Sequence, residues 1–417
     1  MSIIPDGKSF VKNFGELFIY NRLASVFLML ISIMTARMLG PAEFGRIGLV
    51  GNICAFLYIP ILIGANNSMY KYLPESGEDA RRKLMSTAWL GNTATSVFFG
   101  GLFLLFSGVI SKSIQMDPAI WRMGVFFTIV ITFSNIAESF LRGQMKYSVI
   151  GKLKLLSASV FFLLILGVLP GLTPGKADYS TYYLCNIISM AVFIVPAVWK
   201  AGLPLRKLSV SRDMIKQIYS LGTIVMVNML FTAILNSSDL FIVNYFCSGR
   251  ELGIYNVYQG FVKNSFTAIF FEVFAVVFLP TIAAMDKTLL YKRFNRYILW
   301  VIPVIATVTG LITAVTVLLF GRQYTLSFTY IALVSVSIGL YLVFQIYNCI
   351  FSMEGNRGAK LCLIPLGMTM PASLLLQFLL TKFWGITGAM VAVLITNLML
   401  VLTFRAVVAY RHKLANN

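Results

Sequence analysis

Leu23 to Val50 reads LASVFLMLISIMTARMLGPAEFGRIGLV, and the Gly40-Pro41 pair splits it into two apolar runs. The first run starts near Gly15 and ends at Met38, and the second continues from Phe44 to about Tyr70. A helix rises about 1.5 Å per residue, so roughly 20 apolar residues cross a hydrocarbon core about 30 Å thick. Each run is long enough for one crossing, and the few residues between them leave room only for a turn. Glycine ends one helix, and proline suits the first turn of the next.

Working outward, runs of this kind recur to Ala409, at approximately 15–38, 44–70, 85–110, 120–141, 155–172, 181–199, 218–246, 253–284, 297–320, 324–351, 360–383 and 386–409. The expectation is an all-α polytopic membrane protein of twelve transmembrane helices. With 58% hydrophobic residues and a mean hydropathy of +0.83, the chain has too little polar surface for a water-soluble fold. The runs are also far longer than the strands of about ten residues in a transmembrane barrel.

The net charge of +19 falls in a pattern that orients a membrane protein and does not call for a nucleic-acid partner. Twenty-four of the 34 Lys and Arg residues lie in the amino-terminal segment, the even-numbered loops and the carboxyl end. The odd-numbered loops hold Arg37, Arg46, Lys112, Arg122, Lys176, Arg250, Arg322 and Lys382. Positively charged loops stay inside, so both termini are expected in the cytoplasm. The first apolar run is longer than a signal-peptide core and is read as a retained helix. Five scattered cysteines and a single histidine, His412, give no metal site or disulfide framework.

An internal repeat is visible at half the chain length. Glu43 and Gly45 after the first span match Glu251 and Gly253 after the seventh, at an offset of 208. Leu73-Pro74 matches Leu279-Pro280, and Gly143-Gln144 matches Gly355-Asn356, in the same order. Six spans per copy make the repeats parallel, two six-helix lobes related by a pseudo-two-fold axis along the membrane normal. The lobes are expected at residues 1–205 and 206–417, with the Lys200–Lys216 stretch and Pro204 as the cytoplasmic connector. Two bundles facing each other leave a cleft that a substrate can use.

Ionisable residues inside spans cost a few kcal/mol each and so mark wet cavities or buried pairs. They are Arg22, Asp239, Lys263 and Glu272; Glu138, near the end of the fourth span, reads first as an interfacial anchor. Helical spacing places Asn256, Gln259, Lys263 and Thr267 on one stripe, with Glu272 roughly opposite, and Asn228, Thr232, Asn236 and Asp239 on another. Arg22 and Lys263, with Gln259 and Asn256, are the candidate cavity residues for an anionic group. Asp239, Glu272 and Glu138 are candidates for coupling or charge pairing, and an Asp239–Lys263 pair holding two helices in register is the alternative. Asn66, Asn67, Asn135, Asn236, Gln345 and Asn348 are candidate hydrogen-bonding groups of the cleft, with interhelical hydrogen bonding as the other reading. Tyr179, Tyr182 and Tyr183 read as an interfacial aromatic belt.

The stretches TARMLGPAEFG (35–45), YKYLPE (70–75), LRGQMK (141–146) and the Gly249–Gly253 repeat resemble the polysaccharide and oligosaccharide flippases of the Wzx type. That family belongs to the exporter superfamily that also holds multidrug and toxin extruders and lipid II flippases. The resemblance covers essentially the whole chain. It implies a MATE-like (MOP) fold and a bacterial inner-membrane flippase for undecaprenyl-pyrophosphate-linked repeat units of O-antigen lipopolysaccharide or a related surface polysaccharide, working by alternating access. It implies the lipid-linked oligosaccharide and the bilayer as partners, alongside polysaccharide polymerase and assembly proteins. A multidrug or cation antiporter is the alternative, kept open by Asp239 and Glu272. A membrane glycosyltransferase or polymerase is disfavoured by loops of only about 14 to 18 residues without paired carboxylates. No enzyme activity and no cofactor are expected. The chain has no phosphate-binding glycine loop for ATP, and coupling to H+ or Na+ stays open.

Overall fold

A computed structural model describes residues 7–169, 177–204, 208–267, 287–352 and 356–416. Among them the secondary structure is helical, without strands. The helices are α1 (Gly7–Leu62), α2 (Ala65–Tyr72), α3 (Glu78–Leu105), α4 (Ser107–Ser113), α5 (Pro118–Gly143), α6 (Tyr147–Val168) and α7 (Tyr179–Ala201). They continue with α8 (Arg212–Phe246), α9 (Gly249–Tyr255), a π-helical turn (Asn256–Val262), α10 (Lys287–Phe320), α11 (Phe328–Ser352) and α12 (Asn356–Asn416). Nine described segments are long and apolar enough to cross a bilayer, two of them 48 and 51 residues long. These two are broken at Gly40 (φ 80°) and Gly385 (φ 57°), so each makes two crossings and the described total is eleven. The twelfth, expected at 253–284, starts in α9, passes through the π turn and runs into residues outside the description.

Contacts prove the reversal at Gly40. The first arm of α1 runs parallel to α6: Ser148 donates to Glu16, Phe27 stacks on Phe162 at 5.4 Å, and Ile31 and Leu39 pack with Ile165 and Leu169. The second arm runs parallel to α7, with Tyr179 N donating to Glu43 at 3.0 Å and Leu62 packing with Ala197. Since α6 and α7 are antiparallel, joined by Ser157 Oγ to Ser189 O and Phe161 against Tyr182, the two arms of α1 are antiparallel too. Only glycine adopts the φ 80°, ψ 175° of residue 40 without strain. At the other end of the chain, Thr396 Oγ1 donates to Ser373 Oγ at 2.9 Å, folding the arms of α12 together around Gly385.

The repeated glutamates occupy equivalent places. Glu251 is the third residue of α9 and forms a capping box with Ser248, while Glu43 is the third residue after Gly40 and pairs with Arg46. Each carboxylate lies where a helix start exposes N–H groups and a favourable dipole.

Contact density divides the chain into two compact units, residues 1–230 and 231–417. The division falls inside α8, whereas the sequence reading puts its lobe boundary in the connector at 205/206. In unit 1, α3 and α5 are antiparallel, with Trp121 Nε1 donating to Phe103 O and Trp89 against Phe140. In unit 2, α10 and α11 are antiparallel through Tyr347 to Asn295, and α11 runs beside the second arm of α12 through Asn397 to Ser337. Both units bury polar residues, such as Thr132 and Ser139 in one and Thr313 and Gln377 in the other. Both expose apolar ones, including Phe98, Leu163, Leu311 and Leu375. This inside-out pattern suits a hydrocarbon surround.

Three expectations change. The second span, expected to run unbroken over 44–70, stops at Leu62, where Ile63 (φ 47°) and Gly64 (φ 64°) turn the backbone before α2. Gly222 of α8 lies against this break, and a Cβ on Gly64 would come within 2.6 Å of Gly222 O. Ser68 Oγ donates to Ile218 O at 2.6 Å and Thr95 Oγ1 to Ile61 O at 2.6 Å, so the groups freed by the break find partners. Second, Tyr179 and Tyr183 are buried in the bundle instead of forming an outer belt, because Tyr183 donates to Ile47 O at 2.7 Å and its ring meets Phe127 edge to face. Third, the span expected from 253 begins with a π-helical turn at Asn256–Val262, which shifts its side-chain register away from α-helical spacing.

A methyl group on Gly222 would meet the carbonyl oxygen of Ile63, which is backbone and cannot swing aside. Gly222→Ala is therefore expected to lower stability in detergent by about 1–3 kcal/mol, the usual cost of overpacking. Gly101→Ala, with nothing within 4 Å, should leave it unchanged or slightly raised. Thermal unfolding of the two purified variants checks this; equal midpoints would show that the crossing is loose.

Candidate functional site

The two sequence-derived stripes meet inside unit 2. Asp239 on α8 is buried, and its Oδ2 accepts from the Tyr255 hydroxyl at 2.6 Å while Oδ1 accepts from Leu240 N at 2.9 Å. Lys263, just after the π turn, is equally buried; its Nζ donates to Asn236 Oδ1 at 3.2 Å and sits 5.0 Å from the centre of the Tyr341 ring. Asn236 lies three residues before Asp239, so one face of α8 presents an amide to the ammonium and a carboxylate to the phenol. Asp239 and Lys263 attract each other electrostatically but form no direct ion pair, and their close contacts are to neutral groups. Gln345 Nε2 donates to the Tyr341 hydroxyl at 2.5 Å, which fixes the ring that carries the cation.

The π turn sets the pocket wall. Tyr258 donates to Thr325 O at 2.9 Å and accepts from Ser327 N at 3.1 Å, anchoring the turn to the α10–α11 loop. Gly260 leaves space for the Asn256 carboxamide, which a Cβ would strike. Gln259 is 3% exposed, and neither its Nε2 nor its Oε1 has a partner among the described residues. An unmet buried amide costs about 1–3 kcal/mol per group, which sets Gln259 apart from the bonded amides around it.

In unit 1 the candidates lie elsewhere. Arg22 is half-buried on the first arm of α1, its guanidinium 5.4 Å from the Phe18 ring. Glu138 is held between Arg142 on its own helix, at 2.7 Å, and Lys154 on α6, at 2.9 Å. Asn66 Nδ2 donates to the Tyr58 hydroxyl at 3.3 Å and accepts from Asn67, while Asn135 bonds back to Ile131 O. Asn348 is half-buried on α11. Glu272 lies outside the described residues. No group of three or more His, Cys, Asp or Glu suited to a metal occurs among the described residues.

Sequence reasoning missed Tyr255 and Tyr341, whose role needs the fold, and it counted Arg142 and Lys154 as loop charges. The Glu138-Arg142 spacing of four residues was the available signal.

These features define a class, a polytopic all-α membrane fold. The structure is similar to that of a lipid II flippase, MurJ, in an inward closed conformation, with a TM-score of 0.67 and 14% identity over 93% of this chain and 86% of that one. It is also similar to an inward-facing multidrug resistance MATE transporter, with a TM-score of 0.61 and 13% identity over 94% and 96%. A third likeness is to a MOP superfamily transporter from Pyrococcus furiosus, with a TM-score of 0.54 and 14% identity over 95% and 94%. No curated protein matches the chain by sequence. The family described as polysaccharide biosynthesis protein matches residues 34–329, and the chain belongs to that family.

If the Tyr255 hydroxyl holds the Asp239 charge, Tyr255→Phe and Asp239→Asn should be coupled. A double-mutant cycle on unfolding is expected to give about 1.5 kcal/mol, near the upper end for hydrogen bonds within membranes. Additive effects would remove that contact from the site.

Proposed function

We propose that this chain is a flippase that moves undecaprenyl-pyrophosphate-linked oligosaccharide repeat units, of O-antigen or a related surface polysaccharide, across the bacterial inner membrane by alternating access. The observation that carries the reading is the pair of cations within the spans, Arg22 and Lys263, in a chain of the polysaccharide biosynthesis family. Lys263 contacts an amide and an aromatic face and makes no direct carboxylate ion pair among the described residues, and with Asp239 acting on it only at longer range its ammonium supports binding of a phosphate. Gln259 and Asn256 on the same turn add amide groups, and Asn66, Asn67, Asn135, Asn236, Gln345 and Asn348 are the groups offered to sugar hydroxyls. The likeness to a structure described as a lipid II flippase supports a lipid-linked cargo. On this reading the basic side, with both termini, faces the cytoplasm, where the repeat unit is assembled, and polymerase and assembly proteins act on the outer side.

Asp239, buried and hydrogen-bonded by Tyr255, supports coupling to H+ or Na+, and a second reading as a cation antiporter rests on the same carboxylate.

In sealed vesicles containing the purified protein, a labelled polyprenyl-pyrophosphoryl oligosaccharide should become accessible to an external glycosidase. Arg22→Ala and Lys263→Ala should slow this roughly tenfold or more, as loss of a charge-assisted hydrogen bond implies. Near-normal rates in correctly inserted variants would remove those residues from the mechanism, and export of an organic cation in place of the glycolipid would favour the antiporter.

A further inference from the structure

Glu138 has a bonding pattern unlike that of Asp239. Arg142 Nε at 2.7 Å, Arg142 Nη2 at 2.7 Å and Lys154 Nζ at 2.9 Å all converge on the single oxygen Oε1. Oε2 takes no hydrogen bond from the described residues. The carboxylate side chain is 13% exposed, whereas Arg142 and Lys154 are 37% and 32% exposed. The cations therefore face outward from a buried acid, and the cluster carries a net charge of one proton. An arginine fork matches two oxygens better than one, and a phosphate offers several.

Position adds to the chemistry. Glu138 lies five residues before the end of α5 at Gly143, about 7 Å along the axis, where the headgroup region meets the hydrocarbon on the basic side. The Tyr70 ring lies 6.0 Å from the Arg142 guanidinium and backs it. Tyr20 packs against Gly151 as the first arm of α1 runs parallel to α6, which brings Arg22 to the level of Lys154. Two cations from two helices of unit 1 thus stand on one carboxylate, with Arg22 at a similar level along the first arm of α1.

We propose that Glu138 is an internal stand-in for the phosphate of the cargo: it holds Arg142 and Lys154 in place, and a diphosphate headgroup entering from the basic side displaces it. This rests on the lipid-linked cargo of the preceding reading and assigns to it an entry subsite distinct from Lys263. A plain helix clamp would use the same contacts, but it would make all three residues act in the same direction.

The test is binding of polyprenyl pyrophosphate without sugar to the full-length protein in nanodiscs. Glu138→Gln frees both cations and is expected to tighten binding severalfold, while Arg142→Gln and Lys154→Gln weaken it by roughly tenfold. The opposite signs are the signature, and weakening by Glu138→Gln as well would overturn the proposal. In the unmodified protein, polyprenyl pyrophosphate should protect Lys154 from acetylation, a readout independent of how the variants fold; absence of protection would also overturn it. Equal tightening of phosphatidic acid by Glu138→Gln would assign the cluster to bulk anionic lipid instead of a diphosphate. If the unmodified protein binds no polyprenyl pyrophosphate, the cargo assignment falls too; if it binds but ignores these substitutions, only the stand-in role falls.

Discussion

Inside a bilayer, water does not stand ready to satisfy a polar group, so every backbone amide and every charge within the hydrocarbon must find its partner in the chain. That constraint explains why the described chain is helical, why its outer faces carry Phe98, Leu163 and Leu311, and why hydroxyls such as Thr128 and Thr313 bond back to their own helices. It also explains where the backbone is allowed to depart from the helix. The break at Ile63 and Gly64 is covered by α8 and by Thr95, and the π turn at Asn256–Val262 is tied by Tyr258 to the α10–α11 loop.

The same constraint separates the charged groups into two kinds. Asp239 and Lys263 attract each other across a gap, while their close contacts are to neutral donors, acceptors or an aromatic face. Glu138 is neutralised by two cations that are themselves partly exposed. A neutral cage suits a group that must change partner or protonation state, and an outward-facing pair of cations suits an anion arriving at the membrane surface. In each case the arrangement has a vulnerable member, Tyr255 in one and Lys154 in the other, whose removal leaves a buried charge poorly matched.

Much of the fold was legible because its signal is one-dimensional: apolar length fixes the spans, and Gly40-Pro41 marks a reversal that the contacts of Glu16, Ile31 and Glu43 bear out. Glu43 and Glu251 each stand third along a helix start, Glu251 in a capping box and Glu43 on Arg46 and Tyr179 N. What escaped was set by the third dimension. Nothing in the apolar run 44–70 announces that Gly222, far along the chain, requires the backbone to break at Gly64. Tyr183 looks like a belt residue until Ile47 O appears opposite its hydroxyl. The stripe through Asn256 and Gln259 assumed α-helical spacing, whereas the turn is wider, and Arg142 and Lys154 were assigned to loops because hydropathy blurs helix ends by a turn.

The account depends on which face of the membrane carries the basic loops, since an anionic headgroup must arrive where Arg142, Lys154 and Arg22 can meet it. Single cysteines placed in a background free of the five native ones, at Arg82, Lys200 and Arg296 on one side and at Gln115 and Gln323 on the other, would report this by labelling intact cells with a membrane-impermeant thiol reagent. The account predicts that Gln115→Cys and Gln323→Cys react from outside and that the other three react only after the membrane is opened. Labelling of Arg82→Cys or Lys200→Cys from outside would contradict it.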